Sequence, residues 1–125
     1  TRADFAGKTF IDGDEKNVFN DDGEATVVSP STGVFTDEDG ENQNFNWYFE
    51  TTNEQQYLVI TGSNSDEGIE FIDTFAVTQL DGNRGESGSS LTIKVYSQQS
   101  NYPNSDMVRL TGSDGEIWGA TFVIE

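Results

Sequence analysis

The sequence predicts an all-β fold: an antiparallel up-and-down meander that closes into a barrel, or into a flattened barrel or sandwich. Short stretches of alternating apolar and polar residues recur along the whole chain, and Asp-Gly or Asn-containing turn sequences separate them. No segment sustains apolar residues at helical spacing. Because 125 residues is the size of one domain, we expect residues 1–125 to form a single unit.

Alternation predicts ten short strands, of which we expect eight or nine to form. They are 7–11, 17–20, 24–28, 33–36, 44–50, 56–61, 69–79, 90–97, 107–112 and 116–124. The turns at 21–24, 37–42, 80–88 and 113–118 place Asp or Asn beside Gly, where a hairpin needs positive φ. Strands joined by short turns are antiparallel neighbours, and closing the meander removes its exposed edges.

One alternating segment, FNWYFE, raises the question of whether its aromatic row lines a binding site or the protein core. Phe45, Trp47 and Phe49 share one face. Similar apolar rows recur in the later strands, which predicts that this face is the interior. In the strand 56–61 both rows are apolar, so periodicity leaves open which of them points inward.

Composition excludes several classes of chemistry. The chain has neither Cys nor His, which removes disulfides, thiolate zinc sites and Ser-His or Cys-His catalysis. We therefore predict that it is not an enzyme. The 23 acidic and 6 basic residues give a net charge of −17, which disfavours nucleic acids and anionic membrane surfaces as partners. A solvated acidic surface is the simplest interpretation of this charge, with specific cation binding as the alternative.

The location of the protein is predicted from composition as well. No apolar run approaches the ~20 residues of a membrane-spanning helix. Asp, Asn, Gly, Ser and Thr are abundant, Lys is scarce, and no Asn-x-Ser/Thr sequon occurs. This composition favours a bacterial domain that is secreted or displayed at the cell surface, with other domains of a surface protein as candidate partners.

A series of short motifs resembles the lipocalin-like domains of secreted bacterial proteins. The motifs run in order through residues 6–97: AGKTF, FNDDGEATV, FNWYFE leading into QQYLVITG, and FIDTFAVTQLDG leading to SLTIKVY. Where the family usually places Trp in its first strand, this chain has Thr9 or Phe10. The resemblance implies a calycin-type barrel that binds a ligand or serves as a scaffold, and it transfers no functional residue.

Two acidic turns suggest a calcium site, because carboxylates at alternating positions with Gly at the bend suit a hard cation. The candidate ligands are Asp12, Asp14, Asp37 and Asp39. Neither turn has the full EF-hand spacing, so ordinary turn formation is the alternative. No other cofactor is predicted.

Aromatic residues with polar neighbours suggest sugar or small-molecule binding, because sugar faces stack on Tyr and Trp rings. The candidate residues are Tyr48, Tyr57, Tyr96, Tyr102 and Trp118. The alternative is that these rings simply emerge at the barrel surface. Two functions therefore remain open: a non-catalytic module for a small ligand or glycan, and a structural or accessory domain without one. An open cavity favours the first, and a barrel filled from end to end favours the second.

Overall fold

A computed structural model describes residues 1–64, 69–100, 108–110 and 119–125, with side chains described for 1–62, 72–78, 81–93 and 121–125. The described residues contain a short 3-10 helix, Arg2–Asp4, followed by nine strands. The strands are β1 Lys8–Asp12, β2 Glu15–Phe19, β3 Ser31–Thr36, β4 Asn42–Thr52, β5 Gln55–Asn64, β6 Ile69–Asp81, β7 Ser90–Ser100, β8 Val108–Leu110 and β9 Gly119–Ile124. The all-β prediction is confirmed.

The strands form a closed, eight-stranded antiparallel barrel in up-and-down order. Strands β1 to β7 pair in sequence, and β9 pairs with both β7 and β1, which closes the ring. Strand β8 pairs with the last residues of β7, and β9 pairs with its first residues. Strand β6 pairs with one edge of β7. Strands β8 and β9 therefore share the opposite edge of β7 and together occupy the eighth position of the barrel.

Local backbone chemistry explains the two tight hairpins at the ends of the barrel. Gly13 adopts φ +60° between β1 and β2, a conformation that glycine reaches without steric cost. Between β4 and β5, Asn53 and Glu54 both have positive φ, as a two-residue turn that matches the twist of its strands requires. This turn lets β4 and β5 continue one or two residues beyond their predicted limits at this end.

The strand predicted at 24–28 is wrong, because this segment belongs to a loop. Strands β2 and β3 pair directly with each other, so no sheet edge is left between them for another strand. Gly23 and Ala25 both have positive φ, and a Cβ on Gly23 would lie 2.6 Å from the Pro30 carbonyl oxygen. Val28, which strand pairing would partly cover, is 87% exposed.

One end of the barrel is filled by aromatic side chains, and we call it the closed end. Phe5, just after the 3-10 helix, is fully buried, with its ring centroid 5.2 Å from that of Phe10 and 5.1 Å from that of Phe19. Arg84, in the β6–β7 loop, donates hydrogen bonds of 2.5 and 2.6 Å to the carboxylate of Asp4. These contacts hold the N-terminal segment as a plug across the closed end.

The aromatic row of β4 points into the barrel, as predicted. Trp47 is fully buried, Phe45 is 5% exposed, and Phe49 packs against the core. In β5 the structure resolves what periodicity left open, because Leu58 and Ile60 belong to the interior cluster. The alternate row of β5 therefore faces outward.

Candidate functional site

The other end of the barrel, where β1 ends and β2 begins, contains a cavity of about 300 Å³. We call this the open end. Six apolar side chains line the cavity: Phe35, Phe45, Ile60, Phe75, Ile93 and Phe122. Among the described residues, five polar side chains also line it: Asp12, Glu15, Asn17, Gln43 and Asp73. These residues come from all eight positions around the barrel, so only the closed fold brings them together.

The cavity exists because large side chains are concentrated at the closed end. There, the ring of Phe19 lies 5.2 Å from that of Phe45 and 5.5 Å from that of Trp47. Toward the open end, the inward positions of β2 and β4 instead carry Asn17 and Gln43, which leave the interior incompletely filled. Two of the apolar side chains that line the cavity, Phe35 and Ile60, are correspondingly only partly buried.

Two of the polar residues form a pair of like charges. Asp12 and Glu15 are direct cross-strand neighbours at the β1–β2 hairpin, and both line the cavity. Neither carboxylate has a hydrogen bond or ion pair with any residue that the structure describes. Asp73 contributes a third carboxylate from β6. The described lining contains no Lys or Arg, so Asp12 and Glu15 leave two unpaired negative charges at this end of the cavity.

Asn17 lies one inward position deeper than Glu15 on the same strand. It is only 8% exposed, and it lines the cavity. Its side-chain amide has no hydrogen-bond partner among the described residues. The described side-chain atoms that are buried without a partner are Arg2 Nε and Thr92 Oγ1, so the Asn17 amide remains accessible. Asn17 therefore offers both a donor and an acceptor to a molecule in the cavity.

A polar groove of about 800 Å³ adjoins the cavity along β3 and β4. Phe35, Gln43 and Phe45 line both spaces. The ladder between β4 and β5 ends at the pair Asn46–Thr61, although β4 starts four residues earlier, at Asn42. The wall of the barrel is therefore less continuous at this point, next to the open end.

The four candidate calcium ligands do not share a site. Asp12 lines the cavity, whereas Asp14 is exposed in the β1–β2 turn. Asp37 accepts backbone N–H groups of Asp39 and Glu41 at 2.9 and 2.8 Å, which is how an ordinary Asx turn is stabilised. Among the residues that the structure describes, no three acidic side chains form a group that could hold a metal ion.

Two of the candidate aromatic residues lie on the outside of the barrel. Tyr48 of β4 and Tyr57 of β5 are both half-buried on the outward row. Burial raises the pKa of Tyr48, and the charge of Glu50 adds to this effect. Val59 pairs with Tyr48 and is fully buried although it belongs to the same outward row. This face is thus covered surface, separate from the cavity.

The remaining aromatic candidates are not tested by the structure. Tyr96 belongs to β7, but its side chain is not among those described. Tyr102 and Trp118 lie outside the described residues altogether. Of the residues that line the cavity, the sequence identified only Asp12 as a candidate site residue, and as a calcium ligand. A usable signal was present, because Glu15, Asn17 and Gln43 are polar residues at positions where alternation places the inward row.

Comparison of the chain with protein families, with curated proteins and with solved structures finds no match. Within the described part of the chain, none of the helical structure is long and apolar enough to cross a lipid bilayer.

Proposed function

We propose that this domain is a non-catalytic binding module that takes a small, mainly apolar molecule into the cavity at the open end of its barrel. The observation that carries the proposal is the cavity of about 300 Å³ with six apolar side chains in its walls.

The dimensions and lining of the cavity suit a small organic ligand. Its volume is at the lower end of the range of roughly 300–1,000 Å³ that is typical of small-molecule sites. Burial of apolar ligand surface against these walls contributes about 2.5 kcal/mol for every 100 Å² removed from water. A fused bicyclic aromatic compound or a short aliphatic chain has the appropriate size.

The broader features of the proposal come from the sequence. The absence of His and Cys favours binding over catalysis. The closed antiparallel barrel is compatible with the lipocalin-like resemblance, and we propose that the domain is a lipocalin-like protein that is secreted or displayed at a bacterial surface. The polar groove beside the cavity supports a glycan as a second candidate ligand, since its Asn and Gln side chains can hydrogen-bond to hydroxyl groups.

The proposal is tested with N-phenyl-1-naphthylamine, a neutral probe whose fluorescence increases in apolar surroundings. Wild-type protein is expected to bind it saturably. Ile60→Trp should abolish this binding, because the larger side chain occupies the cavity that Ile60 lines. Thr61→Trp is the matched control: the next residue of β5 is on the outward row, so the same substitution should leave binding unchanged.

Near-native circular dichroism of both variants shows that the barrel is intact. Failure of the wild-type protein to bind this probe and a panel of apolar compounds would contradict the proposal and favour a structural or accessory domain. Equal binding by wild type and Ile60→Trp would place the probe outside the cavity.

A further inference from the structure

We propose that the cavity selects a ligand with a positively charged organic group, such as an amine attached to an apolar body. The apolar part occupies the space between the Phe and Ile side chains, and the ammonium group lies at the open end against Asp12 and Glu15. This inference rests on the proposed function and adds the chemical class of the ligand.

The first reason is the arrangement of the two carboxylates. Asp12 and Glu15 face each other directly across the β1–β2 ladder. Like charges at such positions destabilise a hairpin, and proteins normally place an opposite charge or a neutral side chain there. Local sequence choices that oppose stability are concentrated at functional sites. An organic cation between the two carboxylates would relieve their repulsion.

The second reason is that the described structure supplies no cation of its own at this point. Lys16, which lies between Glu15 and Asn17 in sequence, is on the outward row, with its Nζ 3.5 Å from a carboxylate oxygen of Glu125. Lys8, at the other end of β1, donates to the carbonyl oxygen of Gly85. The charge of Asp12 and Glu15 is therefore not neutralised by either neighbouring lysine.

The third reason is independent of charge. Asn17 is 8% exposed and lines the cavity, and its side-chain amide has no hydrogen-bond partner among the described residues. Its carbonyl oxygen can accept an N–H from an ammonium group that already contacts Glu15, because Glu15 and Asn17 are successive inward residues of β2. An unpaired acceptor beside two carboxylates is suited to a donor with several N–H groups.

A metal ion fits this site less well than an organic cation does. Calcium requires six to eight oxygen ligands around one point. Asp12, Glu15 and Asp73 all line the cavity, yet they do not form one of the close groups that could hold a metal. The carboxylates of Asp12 and Glu15 can instead contact separate N–H groups of a larger molecule.

The test uses three naphthalene compounds that share a two-carbon side chain and differ in its end group: ammonium, hydroxyl or carboxylate. Affinities are measured by calorimetry at physiological ionic strength, because salt screens the general attraction between any cation and a protein with a net charge of −17. The ammonium compound is expected to bind at least about tenfold more tightly than the alcohol, as charge-assisted hydrogen bonds are stronger than neutral ones. The carboxylate compound should bind most weakly.

Asp12→Asn with Glu15→Gln should reduce this preference for ammonium over alcohol to about twofold or less, while the affinity for the alcohol persists. Glu38→Gln is the matched control, because it removes an exposed carboxylate from the β3–β4 turn, at the same end of the barrel but outside the cavity. It should leave the preference unchanged.

The outcomes separate the two proposals. If none of the three compounds binds, the proposed function itself fails. If the alcohol and ammonium compounds bind equally, or if the preference survives in the double variant, the cavity binds ligands but does not select cations. If Glu38→Gln loses as much of the preference for ammonium as the double variant does, the preference comes from the overall charge of the protein and not from the cavity. Competition by calcium alone, with no organic selectivity, would also overturn the inference.

Discussion

Replacement of Trp47 by Ala tests the assignment of the aromatic row of β4 to the core. Trp47 is the largest fully buried side chain in the described structure. Its ring lies 5.5 Å from that of Phe19 and 6.3 Å from that of Phe49. Its indole Nε1–H donates to the carbonyl oxygen of Thr32 at 3.0 Å. The substitution therefore removes packing and one hydrogen bond at the same time.

The expected cost is about 3–5 kcal/mol of the free energy of unfolding, the range for a large aromatic side chain truncated in a packed core. The lost hydrogen bond is a small part of this value. The Thr32 carbonyl also accepts the backbone N–H of Asn20 at 2.9 Å, so it does not become an unsatisfied buried group. Most of the cost comes from the cavity that the missing ring leaves between Phe19 and Phe49.

Urea denaturation followed by far-UV circular dichroism measures this loss. Trp47→Phe is the control, since it retains an aromatic ring but removes the Nε1–H donor, and we expect it to cost roughly 1–2 kcal/mol. Trp47 does not line the cavity, so folded Trp47→Ala should still bind the apolar probe. Unchanged stability together with lost binding would refute the assignment and make the aromatic row a wall of the site.

Three further substitutions test other parts of the structure. Gly33→Ala should cost about 1–3 kcal/mol in urea denaturation, because its Cβ would lie 2.2 Å from the Phe45 ring; an unchanged midpoint would contradict this packing. Burial favours protonation of Asp4, but hydrogen bonds from Arg84 and the terminal amino group outweigh it and lower its pKa to about 2. The ionised Asp4 should therefore stabilise the fold above pH 4, and this stabilisation should be lost as pH falls toward 2. Asp4→Asn should lower the free energy of unfolding by about 1–2 kcal/mol at pH 7 and make it depend less on pH below 4. A variant whose stability falls with pH in parallel with that of the wild type would contradict this role of Asp4. Val28→Ser should change stability by less than about 0.5 kcal/mol, whereas a larger loss would indicate that the loop is packed.

Local chemistry was sufficient to predict most of the fold. Alternation identified the nine strands with small errors at the ends that the structure describes, and the described residues of β8 lie within the predicted strand 107–112. The rule succeeds because side chains on a half-buried strand must alternate between core and solvent. The same rule placed Phe45, Trp47 and Phe49 in the interior. It failed at 24–28, where Ala-Thr-Val-Val has strand composition but no sheet edge remains to pair with it. Pairing is a property of the whole sheet, so composition cannot reveal it.

The cavity was decided by tertiary structure alone. Asp12, Glu15 and Asn17 come from one hairpin, whereas Gln43 and Asp73 come from strands that only closure of the barrel brings to the same space. The sequence shows that each of these residues is polar, and alternation shows that several belong to the inward row. Whether the interior beside an inward residue is filled or hollow depends on the height of that residue along the barrel axis. That height is set by the register of all the strands and by the insertion of Phe5 at one end only, and neither is encoded within a single strand.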